Sequence, residues 1–175
     1  MVTYNPPRAG LAEKEVRRCI EGVGEAVEEL ESSCVNGVFC IQVSGDAKQV
    51  VADIRDEFLE EPGTLNHTYH WVPVEKWVQA NVEDMTSLAK ELSNGIAEDE
   101  RWMMHMHKRR HDMSSEDLVL ALTDPIERGN VDLTNPQKII VVEILGAMAA
   151  MALLTPDQII DANRIRQRIG LQQMY

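Results

Sequence analysis

The residues best suited to chemistry lie together between Arg101 and His111, which reads Arg-Trp-Met-Met-His-Met-His-Lys-Arg-Arg-His. Lys108, Arg109 and Arg110 are consecutive cations. A guanidinium gives a phosphate two parallel hydrogen bonds, whereas an ammonium acts as a point charge. The chemistry these residues suit is phosphate contact, and the competing reading is a solvated strand end. His105, His107 and His111 stand beside the cations. Alternating histidines can begin a zinc site. No cysteine or acidic residue lies within this strand to complete four ligands, although Asp112 is adjacent, so no metal is expected.

The stretch is basic in a protein whose formal net charge is -12 and whose sequence pI is about 4.8. Such acidity argues against a generic nucleic-acid binder, so any nucleic-acid contact must use a local basic patch. Catalytic motifs are absent from the sequence. There is no Gly-x-x-x-x-Gly-Lys phosphate loop, no Gly-x-Gly-x-x-Gly and no CxxC pair. Asp132 is expected to be a structural hydrogen-bond acceptor, and Asn135-Pro136 to shape a turn. Trp71 and Trp77 are candidates for stacking on a base, with packing in the core as the expected role. Cys19, Cys34 and Cys40 are an odd count, expected as reduced, partly buried thiols of a cytoplasmic protein. No apolar run approaches the roughly 20 residues needed to cross a bilayer. Met1 to Arg8 has no apolar h-region, so a secretory signal is not expected.

These residues must be positioned by the elements around them. Trp102, Met104 and Met106 alternate with Met103, His105 and His107, the period of a half-buried strand. A helix is expected before it, with Met85, Leu88, Ala89, Leu92 and Ile96 on one face after an Asn81 cap. Another is expected after it, with Leu118, Ala121, Leu122 and Ile126, opened by Ser114 and Asp117 in the manner of a capping box. Ile139 to Leu145 is nearly continuous Ile and Val, broken by Glu143, and reads as a strand buried on both faces. Ala147 to Leu154 has helical composition, yet its short length after Gly146 suits a strand pairing back.

Upstream, the expected order over residues 1–75 is β-α-β-α-β, compatible with a ferredoxin-like layer of helices on a sheet. The first helix is expected from about Leu11 to Leu30, although Gly22 and Gly24 weaken it by about 1 kcal/mol each relative to alanine. Asp46 is expected to cap the second helix. His67 to Trp77 is rich in strand formers, with Pro73 marking an edge or an ending. Thr155-Pro156-Asp157-Gln158 reads as a helix start. Residues 1–63 hold thirteen acidic and six basic side chains, which makes this half a poor candidate for an RNA-facing surface.

The order helix, basic strand, helix, then Val131-Asp132-Leu133-Thr134-Asn135-Pro136-Gln137-Lys138 and a hydrophobic strand resembles the THUMP domain of RNA-modifying enzymes, over about residues 80–155. Pro73-Val74-Glu75-Lys76-Trp77, Asp124-Pro125-Ile126-Glu127-Arg128 and Leu154-Thr155-Pro156-Asp157-Gln158-Ile159 resemble the stand-alone THUMP proteins that assist tRNA cytidine acetylation. That family pairs an N-terminal ferredoxin-like domain with the THUMP domain. The resemblance implies an α+β fold, with a ferredoxin-like domain over 1–78, a THUMP domain with a mixed central sheet over 79–160 and a C-terminal tail over 161–175. It implies a cytoplasmic, non-catalytic adaptor without a cofactor. The adaptor would bind the acceptor end of tRNA and present it to a separate RNA cytidine acetyltransferase that makes N4-acetylcytidine. Phosphate contact is then expected at His107, Lys108, Arg109 and Arg110, extended by Lys138 and by Arg164 and Arg168, which share a helix face. The alternative is an acidic protein–protein scaffold that keeps a THUMP-like fold without binding RNA.

Overall fold

The computed structural model describes residues 1–170. The chain forms two compact units. One contains Met1–Pro73 and the segment after Pro156, and the other is Val74–Pro156.

The first unit begins with β1 (Val2–Tyr4), α1 (Ala9–Gly22), β2 (Val27–Ser32), β3 (Val38–Val43), α2 (Ala47–Glu60) and β4 (Thr68–Trp71). β1 lies between β3 and β4, with β2 outside β3, and each of these pairs is antiparallel. This is the β-α-β-β-α-β ferredoxin-like arrangement. The expected first helix is too long. Gly24 takes φ +87°, a left-handed conformation that glycine adopts without a Cβ penalty, and the chain turns there. Val27 and Leu30, spaced as if on a helix, instead face Val43 and Ile41 across the β2–β3 pair. Asp46 caps α2 as expected, its carboxylate accepting from the Lys48 N–H at 2.9 Å. Val16, Ile20, Val51, Ile54, Phe58 and Trp71 build the core. Buried Glu15 accepts hydrogen bonds from the N–H groups of Asn66, His67 and Thr68 and from Thr68 Oγ1, which anchors the approach to β4.

The second unit contains β5 (Lys76–Gln79), α3 (Val82–Ser93), β6 (Arg101–Arg109), α4 (Ser115–Thr123), β7 (Asn130–Val131), β8 (Lys138–Leu145) and β9 (Met148–Leu154). Its sheet runs β5-β9-β8-β6-β7 and is mixed. β6 is parallel to β7 and β8, while β9 is antiparallel to β8 and β5. Met85, Leu88 and Ala89 of α3 and Leu118 and Leu122 of α4 pack with Trp102, Met104, Ile140, Val142, Ile144 and Met151. The Met/Ala run is a strand. Its register with β8 runs from Ile139↔Leu154 to Leu145↔Met148, around a turn where Gly146 has φ +61°. Seven rows of pairing with β8 outweigh the high helical propensity of this run, because intrinsic propensity yields to tertiary pairing. The strand-rich run His67–Trp77 divides, its first part pairing in the first sheet and Lys76–Gln79 in the second. Ser114 occupies the N-cap of α4, but its side chain makes no capping bond.

The chain then returns through β10 (Ile160–Asp161), which extends the first sheet beyond β4, and α5 (Ala162–Arg168). The segment expected as a tail is therefore part of the first unit, because Ile160, Ala162 and Ile165 belong to that unit's core. The expected divisions after 78 and 160 compare with observed ones after Pro73 and Pro156. The last part of the expected tail, residues 171–175, lies outside the described residues. Pro156–Gln158 is a short 3-10 turn, and the helix starts later, where Asp161 accepts from the Arg164 N–H at 2.9 Å.

Candidate nucleic-acid interface

The basic strand β6 presents two different faces. Trp102 and Met104 are buried and Met106 packs beside them against the helices. Lys108 continues that face by alternation, and its ammonium donates to the Met113 carbonyl just past the strand. The other face carries His105, His107 and Arg109, in register with Val141, Glu143 and Leu145 of β8.

Glu143 organises that second face. Its side chain is 2% exposed. Oε1 lies 2.8 Å from His107 Nδ1, and Oε2 accepts from the Arg109 guanidinium at 2.6 Å. His107 Nε2 in turn lies 3.2 Å from His105 Nε2. Burial alone would raise the Glu143 carboxyl pKa. The hydrogen bond and charge of His107, together with the charge and hydrogen bond of Arg109, outweigh burial and hold it below the ordinary glutamate range. Two of the four cationic candidates at the strand end thus already serve an internal carboxylate.

Arg110 follows the strand with φ +55° and is the one described non-glycine residue with positive φ. It is exposed. A bulky L-residue in the left-handed region is strained, and this strained turn carries a cation at the tip of the basic strand.

The remaining candidates lie on other elements. Lys138 faces Trp102 at the start of β8, seven rows from the Arg109–Leu145 pair. At roughly 3.3 Å per residue that is about 23 Å along the strand, so Lys138 does not extend the tip. Arg164 and Arg168 are exposed on α5 of the first unit. Between them, Arg166 is buried, donates to the Leu65 and Pro62 carbonyls, and lies 5.0 Å over the Phe58 ring. Asp132 has the structural role expected of it. Its Oδ1 accepts from the N–H groups of Asn135 and Thr134, which lower its pKa. Trp71 is a core residue, whereas Trp77 is 42% exposed. Trp77 shares the sheet face of Glu143 through the register Trp77↔Ala150↔Glu143.

Sequence reasoning missed Glu143 as a member of the site. The signal was a lone charge inside an Ile/Val strand, but its partners depend on the β6–β8 register. It also gave Arg166 no role, because its inward direction becomes visible only once α5 packs on the first sheet.

The fold places the chain in the α+β class, as two units with an antiparallel and a mixed sheet. No protein-family model matches the chain, and no curated protein matches it. Solved structures do share its fold. The crystal structure of PH1313 from Pyrococcus horikoshii Ot3 matches with a TM-score of 0.62 and 16% identity, over 91% of this chain and 54% of that one. TrmN from Thermus thermophilus matches with a TM-score of 0.59 and 16% identity, over 93% of this chain and 46% of that one. A 4-thiouridine synthetase crystallised with RNA and bound ATP matches with a TM-score of 0.50 and 14% identity, over 93% of this chain and 41% of that one. The likeness is one of fold, and the chain spans about half or less of each of these proteins.

Proposed function

We propose that this chain is a THUMP-type tRNA-binding protein acting as a non-catalytic adaptor. Its role is to position the acceptor end of tRNA for a separate RNA cytidine acetyltransferase that forms N4-acetylcytidine. The observation that carries the RNA-binding part is the strained cationic tip Lys108-Arg109-Arg110 at the end of β6, in an otherwise acidic chain. The fold shared with an RNA-bound 4-thiouridine synthetase supports the same reading. The acetylation partner rests on the phrases around Pro73–Trp77, Asp124–Arg128 and Leu154–Ile159. Such an adaptor reads phosphates and shape more than base sequence.

The test is a gel shift against total tRNA across a salt series, followed by pull-down of the acetyltransferase. Retention at low salt that falls steeply with added salt is expected, with clear weakening by Lys108→Ala plus Arg110→Ala. Unchanged binding in that double variant removes the tip from the mechanism.

A scaffold reading has its own support. Leu120, Val131 and Leu133 are 67%, 67% and 73% exposed, and Glu143 already engages two of the strand-end cations. Absence of any tRNA retention at low salt favours that reading.

A further inference from the structure

His111 lies one residue beyond the strained Arg110. Its Nε2 is 2.9 Å from the carbonyl oxygen of Ala80, 31 residues away in sequence. A carbonyl only accepts, so Nε2 carries the proton and donates. We propose that His111 is a positioning residue for RNA, whose bond to Ala80 holds Arg110 in the left-handed conformation in which the strand tip meets a phosphate. The proposal rests on the tRNA-binding reading above.

The first argument is connectivity. The Arg109 carbonyl accepts from the Gly146 N–H at 2.9 Å, and the Ala80 N–H donates to the Ala147 carbonyl at 2.8 Å. Gly146 and Ala147 are consecutive in the turn between β8 and β9. The His111–Ala80 bond closes a circuit through Arg109, Gly146, Ala147, Ala80 and His111. Arg110 spans the last gap of that circuit, so both of its chain neighbours are tied to one framework.

The second argument is strain. Arg110 has φ +55°, and a bulky L-residue stays in that region only where its surroundings over-determine it. On one side Arg109 is held twice, by its carbonyl and by its guanidinium on Glu143 at 2.6 Å. On the other side the holding bond is that of His111. Without it the chain after Arg110 turns freely, and Arg110 relaxes to the right-handed or extended region.

The third argument is the ring itself. His111 is half-buried, and its Nδ1 is buried without a partner. A side chain that merely decorated a surface loop would keep both ring nitrogens in water. Here one is withdrawn from water so that the other reaches the Ala80 carbonyl. A tip ordered before binding spares the complex the cost of ordering it.

The test compares the parent chain with His111→Ala, His111→Phe and His111→Gln by tRNA gel shift across a salt series, together with the backbone carbon shifts of Arg110, which report its φ. His111→Phe keeps a ring and removes the donor, whereas the amide of His111→Gln restores a donor. The Ala and Phe variants are expected to weaken retention about three- to tenfold, with Arg110 shifts that leave the left-handed range. The slope of log affinity against log salt stays at the parent value, because no phosphate contact is removed, whereas Arg110→Ala lowers it by about one. His111→Gln restores both retention and shifts. Retention that stays at the parent value in the His111→Ala and His111→Phe chains overturns the proposal alone, as does a reduced salt slope in them. A parent chain that retains no tRNA at low salt overturns the tRNA-binding reading and the proposal with it. His111→Phe decides should His111→Ala fail to fold.

Discussion

Arg109 reaches across the parallel β6–β8 pair to Glu143, two rows back in register, and meets Oε2 at 2.6 Å. A cation that sequence alone offers to a phosphate is also the counter-charge of a buried acid. Glu143 titrates in the folded chain below its ordinary value of 4.5. Its stabilising contribution is therefore complete above the unfolded value and is lost as pH falls through the lower folded value. Glu143→Gln is expected to cost about 2 kcal/mol at neutral pH, with the gap to the parent closing in acid. Denaturant melts across pH measure this, and a gap constant at every pH contradicts it.

Arg110 has φ +55°. Replacing it with glycine relieves a left-handed conformation that costs an L-residue about 1 kcal/mol. Arg110→Gly is therefore expected to raise the denaturation midpoint while weakening tRNA retention and flattening its salt dependence. A stability gain with unaltered retention would place the Arg110 charge outside any RNA contact.

Gly129 has φ +64°, and a Cβ there would stand 2.6 Å from the Glu100 carbonyl oxygen and 2.9 Å from Trp102 Cδ1. Both obstacles are held in place, the carbonyl by the Asn130 N–H and the indole by its bond to the Arg128 carbonyl. Gly129→Ala is expected to lose more than about 2 kcal/mol from combined backbone strain and overpacking. A melt within a few tenths of the parent value would show that this turn yields easily.

The three cysteines differ in environment. Cys34 is exposed, whereas burial raises the pKa of both Cys19 and Cys40. A thiol reagent at neutral pH is expected to label Cys34 in a fast phase, and the other two only slowly or after unfolding. Mass mapping of the modified peptides reads the order directly, and early labelling of Cys19 would refute it.

Patterns carried by short-range spacing were legible in the sequence. The alternation from Trp102 to Met106, the Ile139–Leu145 run, and the Asp46 and Asn81 caps each depend on neighbours a few residues away. Misreadings came where two periods coincide. Val27 and Leu30 are three apart, which suits a helix stripe, and only the turn at Gly24 assigns them to a strand. Leu11, where the first helix is expected to begin, is 48% exposed, and the polar Glu15 takes an inside position because loop N–H groups satisfy its carboxylate. At the site, the cluster Lys108–Arg110 was visible as composition. The Glu143 network was not, because His107 and Glu143 are 36 residues apart and meet only through strand register.

The return of β10 and α5 to the first sheet bears on the order of events during synthesis. Val74–Pro156 is contiguous and leaves the ribosome as a complete unit. The first unit cannot finish its sheet or bury Ile160, Ala162 and Ile165 until that whole intervening segment has been made. The β4 edge has no β10 partner until residues 160–161 have been made. A nascent chain truncated after Pro156 should hold a structured second unit beside an unfinished first one.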